Sequence, residues 1–210
     1  EVVKQMLAEG YIGELREAVV LGTNNSLADA DSPFHWRQSA GYSGINMLML
    51  GILHETLIRW IDDPISVRAQ TQIFTHERFD PATGQMHEVG TPDSVHVLTE
   101  LPNAARGLYH LSGMLHHGPG TRIDLYGSEG TLRYELSPRD RLFGGRKDDA
   151  GLSEISVAHE QAGHWRVEAD FIEAIRGQRK ITLTDFATGV RYMRFTDAVD
   201  RAARSGTRVS

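Results

Sequence analysis

The side chains with most chemistry to offer lie in "GINMLMLGILHETLIRW", residues 44–60. Asn46, His54, Glu55, Thr56 and Arg59 are the polar members of this otherwise apolar run. A His54–Glu55 pair could supply a proton acceptor and a carboxylate that tunes it, as general acid–base catalysis requires. Adjacent residues on a helix do not face one another, however. The same side chains could equally be hydrogen-bonded flanks of a core helix. Just upstream lies "DSPFHWRQSAG". There Trp36 offers a flat apolar wall and Arg37 a forked donor for a carboxylate, hydroxyl or phosphate. The alternative is that Trp36 packs on the core rim and Arg37 pairs with a nearby acid.

Other chemistry is harder to find. No G-x-G-x-x-G opens a helix after a strand, and no phosphate-cradling G-x-x-x-x-G-K-[ST] is present. No G-x-S-x-G presents a nucleophile. "LHET" starts like a zinc-binding H-E-x-x-H but has Ile58 where the second histidine would stand. Adjacent His116 and His117 would point to opposite faces of a strand and chelate poorly. His110 and His116, six residues apart on one strand face, would be roughly 20 Å apart, too far to share an ion. "RFDPATGQMHE" and "RKDDAG" lack the ligand spacing of a calcium loop and read as solvated loops.

With 210 residues, 40% hydrophobic and 24% charged, the chain suits a single domain able to bury its own core. A net charge of −6 with scattered Lys and Arg gives no basic patch for nucleic acid. There is no cysteine, which removes disulfides and thiolate chemistry and fits a reducing, cytoplasmic location. No apolar run reaches the roughly 18 residues of a membrane span, and no signal peptide is visible. The chain starts at Glu1 already in a helical pattern, so the expectation is a piece of a longer protein.

These side chains need elements to hold them. Residues 1–9 read as a helix stopped at Gly10, and residues 15–21 as a first strand. Residues 41–60 have apolar residues at helical spacing, ended by Asp62, Asp63 and Pro64. From Ile65 the period becomes two, so Val67, Ala69, Thr71 and Ile73 share one strand face. "FDPATGQMHEVG" reads as a turn or loop. Strands follow at 94–98, 106–116, 121–126 and 131–136, the last two pairs joined by Gly-containing turns. "SPRDRLFGGRKDDAG" predicts a loop with one short strand, and 153–157 another strand. Residues 168–176 form a helix with Val167, Phe171 and Ile175 on one face, stopped by Gly177. Thr184 or Asp185 caps a last helix, 186–204, stopped by Gly206. The sum is an α+β domain. A large, mostly antiparallel sheet carries about three helices on one face and leaves the other open to water or a partner.

Five stretches, in order, resemble the glucose–fructose oxidoreductase and inositol dehydrogenase family (Gfo/Idh/MocA). They are "VKQMLAEGYIGEL", "HWR" with the Gly-rich step and apolar helix behind it, "IDLYGSEGTL", "DFIEAIRG" and "ATGVRYMRFTDAVDRAARSG". Each is weak alone, and together they span nearly the whole chain. The resemblance implies one C-terminal substrate-binding and oligomerisation domain, residues 1–210, of a nicotinamide-dependent oxidoreductase acting on sugars, polyols or related hydroxy compounds. It implies a missing N-terminal Rossmann domain that binds NAD or NADP, a small-molecule substrate, and a homo-oligomer formed through the open sheet face. This fragment alone would then bind no cofactor and show no activity.

Members of that family typically carry D-x-G-x-H on the helix, the His taking a proton from the substrate hydroxyl and the Asp tuning it. Anchored on Gly51, those two positions here are Met49 and Leu53. Neither moves a proton, and the family's upstream lysine would lie outside this chain. At about 100° per residue, Asn46, Met49, Leu50, Leu53 and Leu57 share a face. Asn46 is then the polar residue on the former catalytic face, able to bind a hydroxyl but not to act as a base. His54, on its flank, is the remaining candidate base. Trp36, Arg37 and Asn46 are the candidate substrate-binding residues. The competing reading is a non-catalytic sugar-binding or assembly module with the same fold. A third is an independent homodimeric domain working through its open sheet face.

Overall fold

The alternating runs pair into one eight-stranded sheet. The computed structural model describes residues 1–136, 139–158, 160–162, 166–181, 183 and 185–210. Its strands are β1 (Leu15–Thr23), β2 (Ser66–Gln72), β5 (Ser94–Glu100), β6 (Arg106–Ser112), β7 (Thr121–Gly127), β8 (Gly130–Glu135), β9 (Arg141–Arg146) and β10 (Ser153–Ile155). They are ordered β10-β9-β8-β7-β1-β6-β5-β2. Every neighbouring pair is antiparallel except β1 with β6, which run parallel, Val20 opposite Tyr109. The fold class read from the sequence is thus the observed one.

One face of the sheet is the core face. Ala18, Val20, Val95, Val97, Tyr109, Leu111, Ile123 and Leu125 are buried there. Three helices cover it: α1 (Val2–Ala8) through Val3, α3 (Leu50–Leu57) through Leu50, Leu53 and Leu57, and α5 (Phe186–Ser205) through Phe195, Val199 and Ala202. Each leucine buried on α3 stabilises the fold by roughly 1.5–3 kcal/mol relative to exposure. Asp185 caps α5 by accepting from the Thr188 amide, and Gly206, at φ 66°, ends it in the left-handed region that glycine enters without strain. Thr184, the other cap considered, lies outside the described residues.

Several elements depart from the sequence reading. Residues 41–60 are not one helix. A single turn, α2 (Ala40–Ser43), stops at Gly44 with φ 60°, and α3 begins only at Leu50. Between them the Asn46 side chain accepts from the Leu48 amide, giving the backbone a turn in place of the next helical bond. The long third strand stops at Ser112, where the Gly113 amide turns to the Asp93 carbonyl, so His116 is not on a strand with His110. "FDPATGQMHEVG" contributes to a separate hairpin, β3 (Glu77–Asp80) with β4 (Gln85–Glu88). Its turn is held by Asp80, which accepts from the Ala82 amide and the Thr83 hydroxyl. The amphipathic helix near residue 170 forms as α4 (Val167–Ile175), but it buries no side chain, and Val167, Phe171 and Ile175 are exposed.

Among the described residues the opposite sheet face carries no helix and is only partly polar. Val19, Leu108 and Leu98 stand in register across β1, β6 and β5, and Leu98 and Leu108 are exposed. Toward β8 the face turns ionic. Asp124 is fully buried beneath Arg122 and Arg133, whose Nε atoms donate to its carboxylate at 3.1 and 2.5 Å. His96 and His110 lie edge to face on the same surface, ring centroids 4.5 Å apart.

Candidate functional site

The segment with Trp36 and Arg37 is a short 3-10 turn, Trp36–Gln38, built by its own side chains. His35 Nδ1 accepts from the Arg37 amide at 3.2 Å, and the His35 amide donates to Gln38 Oε1 at 2.9 Å. The first bond needs an unprotonated Nδ1, so the neutral ring carries its proton on Nε2. Gln38 is buried, and its carbonyl accepts from the Gly90 amide at 2.8 Å. The Arg37 carbonyl is a hub: Ser43 Oγ, Asn46 Nδ2 and Thr91 Oγ1 donate to it at 2.9, 3.2 and 3.3 Å.

These anchors hold the backbone and leave the Trp36 and Arg37 side chains outward. Trp36 is 51% exposed, with the Arg37 guanidinium stacked over its ring at 4.5 Å. Arg37 makes no ion pair with any described residue. The pair therefore presents a flat ring and a cationic fork together, suited to a polyhydroxylated or anionic ligand.

Asn46 sits beside this loop but not on a helix face. Its amide nitrogen supports the Arg37 carbonyl and its carbonyl oxygen caps the Leu48 amide. It thus ties the Trp36–Arg37 turn to the entry of α3. It also lines a surface pocket of about 390 Å³ between α3 and α5, together with Ser43, Gly51, Glu55, Tyr192 and Thr196. Glu55 is the pocket's carboxylate, held by Arg59 Nε and Nη2 at 2.8 and 2.7 Å. Tyr192 and Thr196 were not anticipated from the sequence. Their spacing of four on α5 is the signal that could have found them, since it puts them on one helix face.

His54 lies elsewhere. It has no exposed surface, is stacked on Phe195 with ring centroids 3.6 Å apart, and is hydrogen-bonded through Nδ1 to the Tyr109 hydroxyl at 2.8 Å. Burial, and then the positive charge of Arg191, pushes its pKa down to about 3, so the ring is neutral at neutral pH. Burial, and then Asp63, holds the Tyr109 hydroxyl well above its ordinary range, so it too stays uncharged. Nε2 of His54 is buried without a described partner. The site is thus an uncharged polar pair inside the core, closed to solvent.

Met49 and Leu53 are also placed by packing. Leu53 is fully buried and contacts the Gly22 position of β1, where an added Cβ would come within 2.9 Å of its Cδ1. Met49 precedes α3 and is half-buried against the same cluster. Of the histidines weighed for metal, His116 contacts Asn25 at 3.4 Å and His117 occupies a left-handed turn position at φ 58°. Among the described residues no three His, Asp or Glu side chains converge on a point.

The chain thus combines a helix-covered, mostly antiparallel sheet with a braced aromatic–arginine loop beside a helix-lined pocket. The sequence matches the GFO/IDH/MocA C-terminal domain over residues 1–133, and the chain belongs to that family. Among solved structures it is similar to levoglucosan dehydrogenase in complex with NADH and L-sorbose, with a TM-score of 0.83 at 20% identity, covering 99% of this chain and 61% of that one. An NAD binding oxidoreductase from Klebsiella pneumoniae gives 0.83 at 20% identity, with 99% and 62% covered. An inositol dehydrogenase homolog complexed with NAD+ from Azotobacter vinelandii gives 0.77 at 16% identity, with 99% and 61% covered. At these identities the likeness is one of fold. The chain thus spans about three fifths of the length of these proteins. Among curated protein sequences none matches it.

Proposed function

We propose that this chain is the substrate-binding and assembly domain of a nicotinamide-dependent oxidoreductase acting on a sugar, polyol or related hydroxy compound. The observation that carries the reading is the outward Trp36–Arg37 pair, whose backbone is fixed by Ser43, Asn46 and Thr91 beside the α3–α5 pocket. A flat ring packs on the apolar face of a sugar, and a guanidinium donates to its hydroxyls or to an acid group. Membership of the family and the sugar-dehydrogenase titles of the similar structures support the substrate class.

Among the described residues no cradle for the dinucleotide's phosphates is evident. The chain has no glycine-rich phosphate loop, and its longest helix opens on Asp185, whose carboxylate would repel a phosphate. NAD or NADP would be held by an N-terminal nucleotide-binding domain and would supply a hydride acceptor for the substrate. The carbinol proton needs a separate acceptor. Met49 and Leu53 have no such group, and His54 is closed off, so we assign His54 a structural role and propose that none of these three is the acceptor. What this chain does is hold the substrate hydroxyls.

The exposed Leu98–Leu108 strip and the ionic surface around Asp124 suit the open sheet face to a second copy of the chain. Turnover of the intact protein with NAD and NADP against a sugar and polyol panel tests the reading. Substrate-dependent reduction of either nucleotide is expected. Sugar binding without any turnover would favour the non-catalytic module, for which the loss of the acid–base pair at Met49 and Leu53 is the argument.

A further inference from the structure

Among the described residues the largest fully buried side chain is a cation that forms no ion pair. Arg78, on β3, is 1% exposed. Its Nη1 donates to the Asp29 and Ser32 carbonyls at 2.7 and 3.2 Å, and its Nη2 to the Leu27 carbonyl at 2.7 Å. No described acid pairs with it; the Asp29 carboxylate is turned to the Asp31 amide. Its charge is thus balanced by backbone carbonyl dipoles, all from the loop that leads into Trp36. A buried charge is costly unless it is well bonded, so this arrangement holds only while the loop keeps its path.

The rest of the hairpin grips the same loop. The Phe34 amide donates to the Phe79 carbonyl at 2.8 Å, one residue beyond Arg78. The Phe34 ring stacks on His87 of β4 with centroids 5.1 Å apart. Past β4, the Gly90 amide donates to the Gln38 carbonyl and the Thr91 hydroxyl to the Arg37 carbonyl. Leu27, Phe34, Arg78 and Phe79 all lie outside the main hydrophobic cluster. Losing Arg78 should therefore loosen the loop and leave the sheet intact.

We propose that Arg78 is a positioning residue: its guanidinium locks residues 27–32 onto the β3–β4 hairpin and so fixes where Trp36 and Arg37 present themselves to substrate. Its effect on catalysis rests on the functional reading above, whereas its effect on loop order does not. Lysine could not replace it, because a single ammonium cannot reach three diverging carbonyls as a planar fork does.

The test uses the intact protein with Arg78→Met and Arg78→Lys, read by amide hydrogen exchange and by steady-state kinetics, with Trp36→Ala as a reference. Both Arg78 variants should speed exchange at residues 27–38 and leave exchange in β5 and β6 unchanged. They should raise KM about tenfold with kcat within about twofold, as expected when a preorganised binding loop is loosened. Unchanged exchange in the loop overturns the inference, and so does loosening spread evenly over the sheet. If Arg78→Met does not fold, His87→Ala, which removes a second grip on the same loop, should reproduce the local exchange and the KM rise. If Trp36→Ala raises KM while the Arg78 variants do not, the positioning role is wrong and the site stands. If Trp36→Ala leaves KM unchanged, the site reading fails, and the exchange data alone decide the fate of the brace.

Discussion

His54 is the residue whose chemistry and surroundings point in opposite directions. Its type suggests a base, but it is stacked under Phe195 with its pKa pushed down to about 3. In the unfolded chain the same imidazole titrates near 6.5. Between those values the unfolded state binds more protons than the folded one, so stability falls as pH drops below about 6.5 and is complete above it. Urea denaturation should lose about 2 kcal/mol from this group between pH 7 and pH 5, and His54→Leu should remove that share of the pH dependence. An unchanged pH dependence in His54→Leu would show that the ring is accessible. Leu53 gives the complementary case. Leu53→His should destabilise by about 2–5 kcal/mol without creating activity, because the position is filled by core packing against Gly22. The residue types at 49, 53 and 54 were legible in the sequence. Which of them touched solvent was not, because that depends on the phase of a helix whose start was misplaced.

That phase was lost at Gly44 and Asn46. Apolar spacing across residues 41–60 reads as one helix, since Ile45, Met47 and Leu48 are as apolar as a core face. The structure breaks it with a left-handed Gly44 and an Asn46 side chain bonded to the Leu48 amide. Glycine within the run was visible as a weak point, but periodicity alone could not weigh a side-chain turn against one more helical bond. Asn46 becomes a brace, and its prediction belongs here. Asn46→Ala should lower stability by about 1–2 kcal/mol and raise KM with little change in kcat. Asn46→Asp should keep the Leu48 cap and lose the bond to the Arg37 carbonyl, so it separates the two roles by hydrogen exchange at Leu48. The β3–β4 hairpin was missed for a different reason. Its strands are four residues long with one apolar residue each, Phe79 and Met86, too few to show alternation, yet it holds the loop picked out by its residue types. The residues Trp36 and Arg37 could be picked from their types, whereas Arg78, which steers them, came from a segment that read as solvated.

At the scale of the whole molecule, the sequence reading of a large sheet with helices on one side holds because strand alternation is a strong signal wherever one face is buried. The single parallel pairing of β1 with β6 was not legible, since it joins residues about 90 positions apart. The open face offers a separate prediction. Leu108→Arg places a charge in the exposed apolar strip, and should shift an assembly through this face toward monomer in sedimentation, with the unfolding midpoint of the subunit little changed. A species distribution identical to wild type would move the assembly surface elsewhere. In the proposed function this domain holds a hydroxylated substrate for hydride transfer without supplying the proton acceptor from Met49, Leu53 or His54. That function is tested most directly by assaying the intact protein and its His54→Leu variant for NAD and NADP reduction across a sugar and polyol panel. Substrate-dependent reduction that survives in His54→Leu, with kcat within about threefold of wild type, is the predicted result. Loss of kcat by a hundredfold or more in a folded His54→Leu protein, or no nucleotide reduction with any panel member, would contradict it.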